Sequence, residues 1–317
     1  MERRSTPPKL VSYSFYKNDF SKIGSMISYN PKDWITFIFR FHRSDTVRRL
    51  FPMIVLISLY SAGVAYLEIE IWQLSEKSHV RNVPVMHTLL GFVISFLLVF
   101  RTNTAYERWW EGRKLWGALV NTSRNLAMKL AALLRNEQEE KDFFRVMIPA
   151  YASALRRHLH SEDTRVELFD KLPKGLQEKL DHEKHIPNQI AALIYGRIVS
   201  LAEQGKLSGD HLIFLNPELQ SFTDICGACE RIRNTPIPYS YSVFIKKFIF
   251  FYIMTLPFGY VFSLGYYVVP IVAFIFYVLA SLEIIAEEIE EPFGADENDL
   301  PLDKISRNIQ MHIGELI

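Results

Sequence analysis

VPVMHTLLGFVISFLLVF, Val83 to Phe100, runs straight into RTNTAYERWWEGRKLWG, Arg101 to Gly117. The first stretch is apolar on every face and close to the ~20 residues a helix needs to cross a bilayer. The second has no Pro and keeps helical spacing, yet fills with Arg, Glu and Lys. A helix that leaves hydrocarbon and carries on into water accounts for both. The sequence therefore predicts one long helix, starting in a membrane and continuing to Gln138 in a soluble region.

Working outward, FPMIVLISLYSAGVAYLEIEIW (Phe51 to Trp72) reads as a first span, with Glu68 and Glu70 near enough to its far end to reach water. A third and a fourth span lie between Val243 and Glu288. One apolar helix of that length overshoots any bilayer. Pro257, Gly259, Gly265 and Pro270 place the break around Ser263 to Tyr267. Tyr60, Trp72, Tyr266 and Tyr267 suit interfacial anchoring.

Basic residues set the orientation. Arg40, Arg43, Arg48 and Arg49 crowd the start of the first span, and Arg101, Arg108, Arg113 and Lys114 follow the second. The loop between them has only Lys77 and Arg81. The positive-inside rule then puts both termini and the long middle segment in the cytoplasm. Asn121-Thr122-Ser123 matches a glycosylation sequon on the side where it goes unused. The start, MERRSTPPKL, lacks the apolar core of a signal peptide, so insertion uses the first long apolar helix. The expected organisation is a cytoplasmic segment 1–50, two membrane helices in 51–100, a helical cytoplasmic domain 101–242, two more membrane helices in 243–289, and an acidic cytoplasmic segment 290–317.

Within 101–242, FFRVMIPAYASALRRHLH and IAALIYGRIVSLAEQGKL read as amphipathic helices. Asp163 to Pro187 reads as a charged, Pro-bounded solvent loop or short helix pair, and Pro236 with Pro238 breaks the helix before the third span. The chain has 317 residues, 49% of them hydrophobic, with a formal net charge of +1. That composition excludes a disordered tail, and the charge creates no field for nucleic acid. Two cysteines imply no disulfide framework. Cys226-Gly-Ala-Cys229 is a lone CxxC that supplies two of the four ligands zinc usually takes, and small residues packing a helix explain it as well. His158 and His160 read as a solvated helix surface. No nucleophile elbow, Walker loop, HExxH or dinucleotide fingerprint occurs, so nothing favours an enzyme.

Two features bear on ion passage. Phe92, Phe96 and Phe100 recur every four residues, which puts three rings on one helical face. Around a symmetry axis such rings stack into an apolar constriction that stops ions by dewetting. Packing or lipid contact is the plainer reading of the same spacing. Glu283, Glu287, Glu288, Glu290 and Glu291 crowd the end of the last span, where carboxylates oppose the macrodipole. Either they are simply solvated, or cations, a metal or basic residues of a neighbour compensate them.

RTNTAYERWWEGRKLWG resembles the bestrophin family, in its short bacterial branch. CGACERIRNTPIPYSYSVF (Cys226 to Phe244) and EEPFGADENDLPLD (Glu290 to Asp303) extend the resemblance over residues 28 to 305. The resemblance implies an all-α membrane protein with four transmembrane helices and a helical cytoplasmic region, five copies surrounding one pore. It implies conduction of small monovalent ions, anions in the animal and plant members. It places an apolar neck at Phe92, Phe96 and Phe100 and a cytoplasmic aperture at Asp210, Leu212 and Ile213. A carboxylate ring at Asp210 favours cations and an apolar one does not, so chloride and sodium or potassium stay as alternatives. No cofactor is required. The resemblance implies calcium at Asp296 and Asp299, in an acidic run interrupted here by Ala295 and Asn298. The expected partners are further copies of the chain, monovalent ions and lipids of a bacterial inner membrane. A non-conducting scaffold that binds partners through its cytoplasmic helices is the rival.

Overall fold

The structure is a computed structural model that describes residues 46–72, 83–160, 180, 181 and 183–317. The expectations for the first 45 residues, for Lys77 and Arg81, and for the charged stretch from Asp163 through Lys179 lie outside them. Among the described residues every regular element is helical. Helix α1 is Thr46–Tyr66, closed by a π turn at Leu67–Ile71. Helix α2 is Val83–Leu133, α3 Gln138–His160, α4 Ile186–Glu203, α5 Gly209–Asn234, α6 Tyr239–Leu264, α7 Val268–Glu290 and α8 Leu302–Leu316.

The deciding junction is continuous helix. Helix α2 has 51 residues, roughly 77 Å at about 1.5 Å per residue, more than twice the ~30 Å of hydrocarbon. Its buried face changes partners along its length. Ile94 and Leu98 join a cluster with Leu50 and Ile57 of α1, Ile249 and Ile253 of α6, and Val272 and Phe276 of α7. Further on, Trp116, Leu119, Leu126 and Leu130 join a second cluster with Tyr151 of α3, Ile194 of α4, Phe222 of α5 and Ile309 of α8. One helix thus runs through both cores.

Among the described residues three stretches are long and apolar enough to cross a membrane: Thr46–Ile71, Val83–Leu133 and Tyr239–Glu290. The third breaks where the sequence places the break. Gly265 has φ 52°, a backbone region that side chains with a Cβ rarely adopt, and a 3-10 turn at Gly265–Tyr267 leads into α7. Helices α6 and α7 pack against each other. At one end of the apolar cluster Tyr266 donates to Glu70 at 3.3 Å, and His87 meets Thr255 at 3.0 Å. At the other end Arg49 pairs with Glu288 at 2.5 Å and Lys246 with Glu287 at 2.9 Å. The starts of α1 and α6 and the end of α7 therefore share one level.

One reading changes, and the open choice at the cysteines narrows. His158 is half-buried and hydrogen-bonded to Glu230, not a solvated surface residue, because the Pro-bounded start of α4 brings His185 across it. Cys226 and Cys229 are free and buried in the second cluster, with Trp116 and Tyr151. Burial pushes the Cys226 thiol up to about 12, so neither redox nor metal chemistry, which needs the thiolate, is favoured.

Gly259 marks where α6 touches the start of α2. A Cβ there lies 2.8 Å from Pro84 Cδ and 2.9 Å from Val83 Cβ. Gly259→Val is expected to destabilise the protein by about 1–3 kcal/mol through overpacking. Thermal unfolding in detergent checks this, with Gly63→Ala, which meets nothing within 4 Å, as the neutral comparison.

Candidate functional site

The candidate site is built around α2. Ile94, Leu98, Arg101 and Ala105 are buried, and they fix which way the helix faces. Phe92, Phe96 and Phe100 point away from that face and are 73%, 55% and 51% exposed in the single chain. Their rings form a continuous ladder. Phe92 stacks on Phe96 with centroids 6.3 Å apart, and Phe100 meets Phe96 edge-on at 4.6 Å. Val85, Leu89, Val93 and Val99 are also exposed. Bare aromatic and aliphatic surface of this extent needs lipid or another chain against it.

Directly after Phe100 comes a buried belt of charge. The Arg101 side chain is 1% exposed. Its Nη2 lies 2.7 Å from Glu290 Oε2, and its Nε lies 3.6 Å from Glu283 Oε2. Glu290 also accepts the backbone N–H of Ile237 at 2.7 Å. The acidic end of α7 is thus compensated by basic residues of neighbouring helices: Arg101 from α2, Arg49 from α1 and Lys246 from α6. The sequence leaves that compensator open because Arg101 and Glu290 stand far apart in the chain.

Two turns further, α2 grips the end of α7 and the acidic segment. Arg108 donates to the carbonyl oxygens of Ile232, Thr235 and Glu290 at 2.6, 2.5 and 3.1 Å. These include carbonyls at the end of α5, which a helix terminus leaves without internal partners. Trp109 donates to Asn298 O at 3.0 Å. Gly112 lets Phe293 approach, since a Cβ there lies 3.1 Å from the ring. Arg101 and Arg108 thus tie α2 to the end of α7, and Trp109 and Gly112 tie it to the segment that follows.

That segment turns on Asp299, which is buried. Its Oδ2 accepts the Asp296 N–H at 2.6 Å, and its Oδ1 has no partner among the described residues. Glu297 Oε2 is likewise buried and unpartnered there. Asp296 itself is exposed, so the two carboxylates differ in setting. Burial pushes the Asp299 carboxyl up to about 7, against the hydrogen bond from Asp296.

The three residues expected at an aperture, Asp210, Leu212 and Ile213, lie in the first turns of α5. Ser208 caps the helix by accepting His211 N–H at 3.3 Å, and Asp210 in the first turn complements the macrodipole. Leu212 packs against the second apolar cluster. Ile213 is 74% exposed. Of the three, Asp210 and Ile213 project freely, on one helix face three residues apart.

These features define a helical membrane protein whose apolar, aromatic helix face is coupled to a buried charge belt. The family model described as bacterial/fungal bestrophin protein matches residues 26–315. A "voltage-dependent anion channel-forming protein" of Synechocystis is 32% identical over 295 residues, 92% of this chain and 94% of the relative. The protein of that name from Escherichia coli K12 is 30% identical over 290 residues, 91% and 93% of the two chains. The crystal structure of a bacterial bestrophin homolog from Klebsiella pneumoniae superimposes with a TM-score of 0.78 at 28% identity, covering 84% of this chain and 98% of that one. The chain belongs to the bacterial and fungal bestrophin family.

Two predictions follow from the belt and the segment. Arg101→Met leaves Glu283 and Glu290 buried without a counter-charge, which costs about 3–5 kcal/mol. Adding Glu283→Gln and Glu290→Gln is expected to restore part of that, measured as the unfolding temperature of the purified protein. For Asp299 the folded state holds its proton up to about pH 7, against an ordinary value of 3.8. Its stabilising contribution is full below the ordinary value and is lost as pH rises through about 7. In chelator, Asp299→Asn is expected to flatten that part of the stability profile.

Proposed function

We propose that this chain is one subunit of a homopentameric anion channel in a bacterial inner membrane. Each subunit contributes four spans, with α6 and α7 as the third and fourth, and both termini lie in the cytoplasm. The observation that carries this reading is the exposed ladder of Phe92, Phe96 and Phe100, opposite a face of α2 that is buried within its own subunit. Five such ladders around an axis form an apolar neck, narrow enough to dewet and so to gate. The relatives' names as anion channel-forming proteins support anions over cations.

The second constriction is the start of α5. Of the two side chains that project freely we take Ile213, because the relatives' names as anion channel-forming proteins disfavour a carboxylate ring at Asp210. An apolar ring there carries no preference for cations. Calcium, when bound at the segment after α7, adds positive charge that holds its carboxylates together. Asp299 Oδ1 and Glu297 Oε2 are hard oxygen donors without partners among the described residues, and Asp296 is near in sequence. They fit such an ion, and conduction does not require it.

The test is the reversal potential of purified protein in a planar bilayer under a potassium chloride gradient. A value near the chloride equilibrium potential is expected. A value near that of potassium overturns the anion reading and turns attention to Asp210. Absence of current from intact oligomers favours the scaffold reading. Replacing Phe92, Phe96 and Phe100 together by Ala is expected to raise the open fraction several-fold, and unchanged gating in that variant removes the neck assignment. Ile213→Glu is expected to move the reversal potential toward potassium, while Asp210→Asn leaves it in place.

A further inference from the structure

On the cytoplasmic domain, away from the neck and the acidic segment, three side chains from three elements converge. His158 ends α3, His185 caps the start of α4, and Glu230 lies in the last turns of α5. We propose that His158, His185 and Glu230 bind a divalent transition-metal ion of the zinc type.

The geometry is that of ligands aimed at one point. Each residue offers one ligand atom, and all three atoms lie within 4.8 Å of one another. Both Nε2 atoms sit 2.6 Å from the same oxygen, Glu230 Oε1. The two rings face each other edge-on with centroids 4.4 Å apart. The side chains are 31%, 29% and 30% exposed, so the point is sheltered yet reachable from water. Two imidazoles and a carboxylate, with a position open to solvent, match what zinc takes when three protein ligands hold it. Imidazole nitrogen selects zinc and its neighbours over calcium and magnesium, which prefer oxygen.

Burial holds the His158 ring below its ordinary value. Burial works against the Glu230 carboxylate, but the hydrogen bonds from His185 and His158 hold it ionised. Two groups oppose binding. Arg233 donates to His158 O at 2.5 Å and brings a like charge near. His185 Nδ1 accepts the Asn188 N–H at 3.1 Å, whereas a neutral ring that ligates through Nε2 carries its proton on Nδ1. Binding therefore releases that cap, and exposed Asn188 gives its N–H to water. Without metal the same three groups form a hydrogen-bonded clamp, with both Nε2–H groups donating to Glu230.

The experiment uses the purified oligomer, stripped with chelator and titrated with zinc chloride by calorimetry, with metal content counted by mass spectrometry. One zinc per chain is expected, unaffected by excess calcium. His158→Gln and His185→Gln are each expected to weaken binding by at least about tenfold, the loss that an outer-shell partner alone produces. Asp296→Asn with Asp299→Asn is expected to leave it unchanged. No uptake by the intact oligomer, uptake indifferent to both histidines, or uptake lost only with the aspartates overturns the proposal. Where the histidine variants fail to assemble, X-ray absorption of the zinc-loaded wild type decides. Scattering from two imidazoles supports the site, and an all-oxygen shell removes it.

Discussion

The rest of the structure depends on the burial of Arg101 between Glu283 and Glu290. Below it and above it lie two separate apolar cores, and neither offers a charge any solvation. A guanidinium in that position is tolerated only with carboxylates in reach, because an isolated buried ion costs far more than a small domain's net stability. The requirement works in both directions. The acidic end of α7 is stable because α2 brings a cation to it, and α2 keeps its rotation because that cation has one place to go. With the rotation set, Ile94 and Leu98 face inward and the Phe ladder faces outward.

The same helix explains why one run of sequence carries so much of the family's character. Arg108, Trp109 and Gly112 each meet a different part of the chain: the end of α5, the loop at Asn298 and the ring of Phe293. None of these contacts is chemically exotic. Two are side-chain donors to backbone carbonyls, and one is the absence of a Cβ. Their effect is to hold the segment after α7 against the helix that also carries the aromatic ladder, so two distant stretches of sequence become neighbours.

What was legible in the sequence follows the range of the interactions. The spans, the helix running on past Phe100 and the break at Gly265 are local, set by run length, charge and backbone freedom. The Phe ladder is local too, since a four-residue spacing needs only a helix to align it. The role of Arg101 was not legible, because its partners lie in α7 and composition does not say which of many basic residues is buried. The site at His158, His185 and Glu230 was hidden for the same reason, and the adjacent His160 made His158 look like surface. Helix α8 was not legible behind the acidic run, although Leu302, Ile305, Ile309 and Ile313 carry its spacing. The end of helix α5 was legible at Pro236 and its start was not, because Pro217 sits within it.

A continuous rod held at several levels transmits position. Measured from Arg101, Gly112 lies about 16 Å along α2 and Phe92 about 13 Å the other way, at roughly 1.5 Å per residue. No break in the helix separates them. The setting of the ladder is therefore fixed by packing in both cores at once, and the aromatic face inherits its place from residues that it never touches.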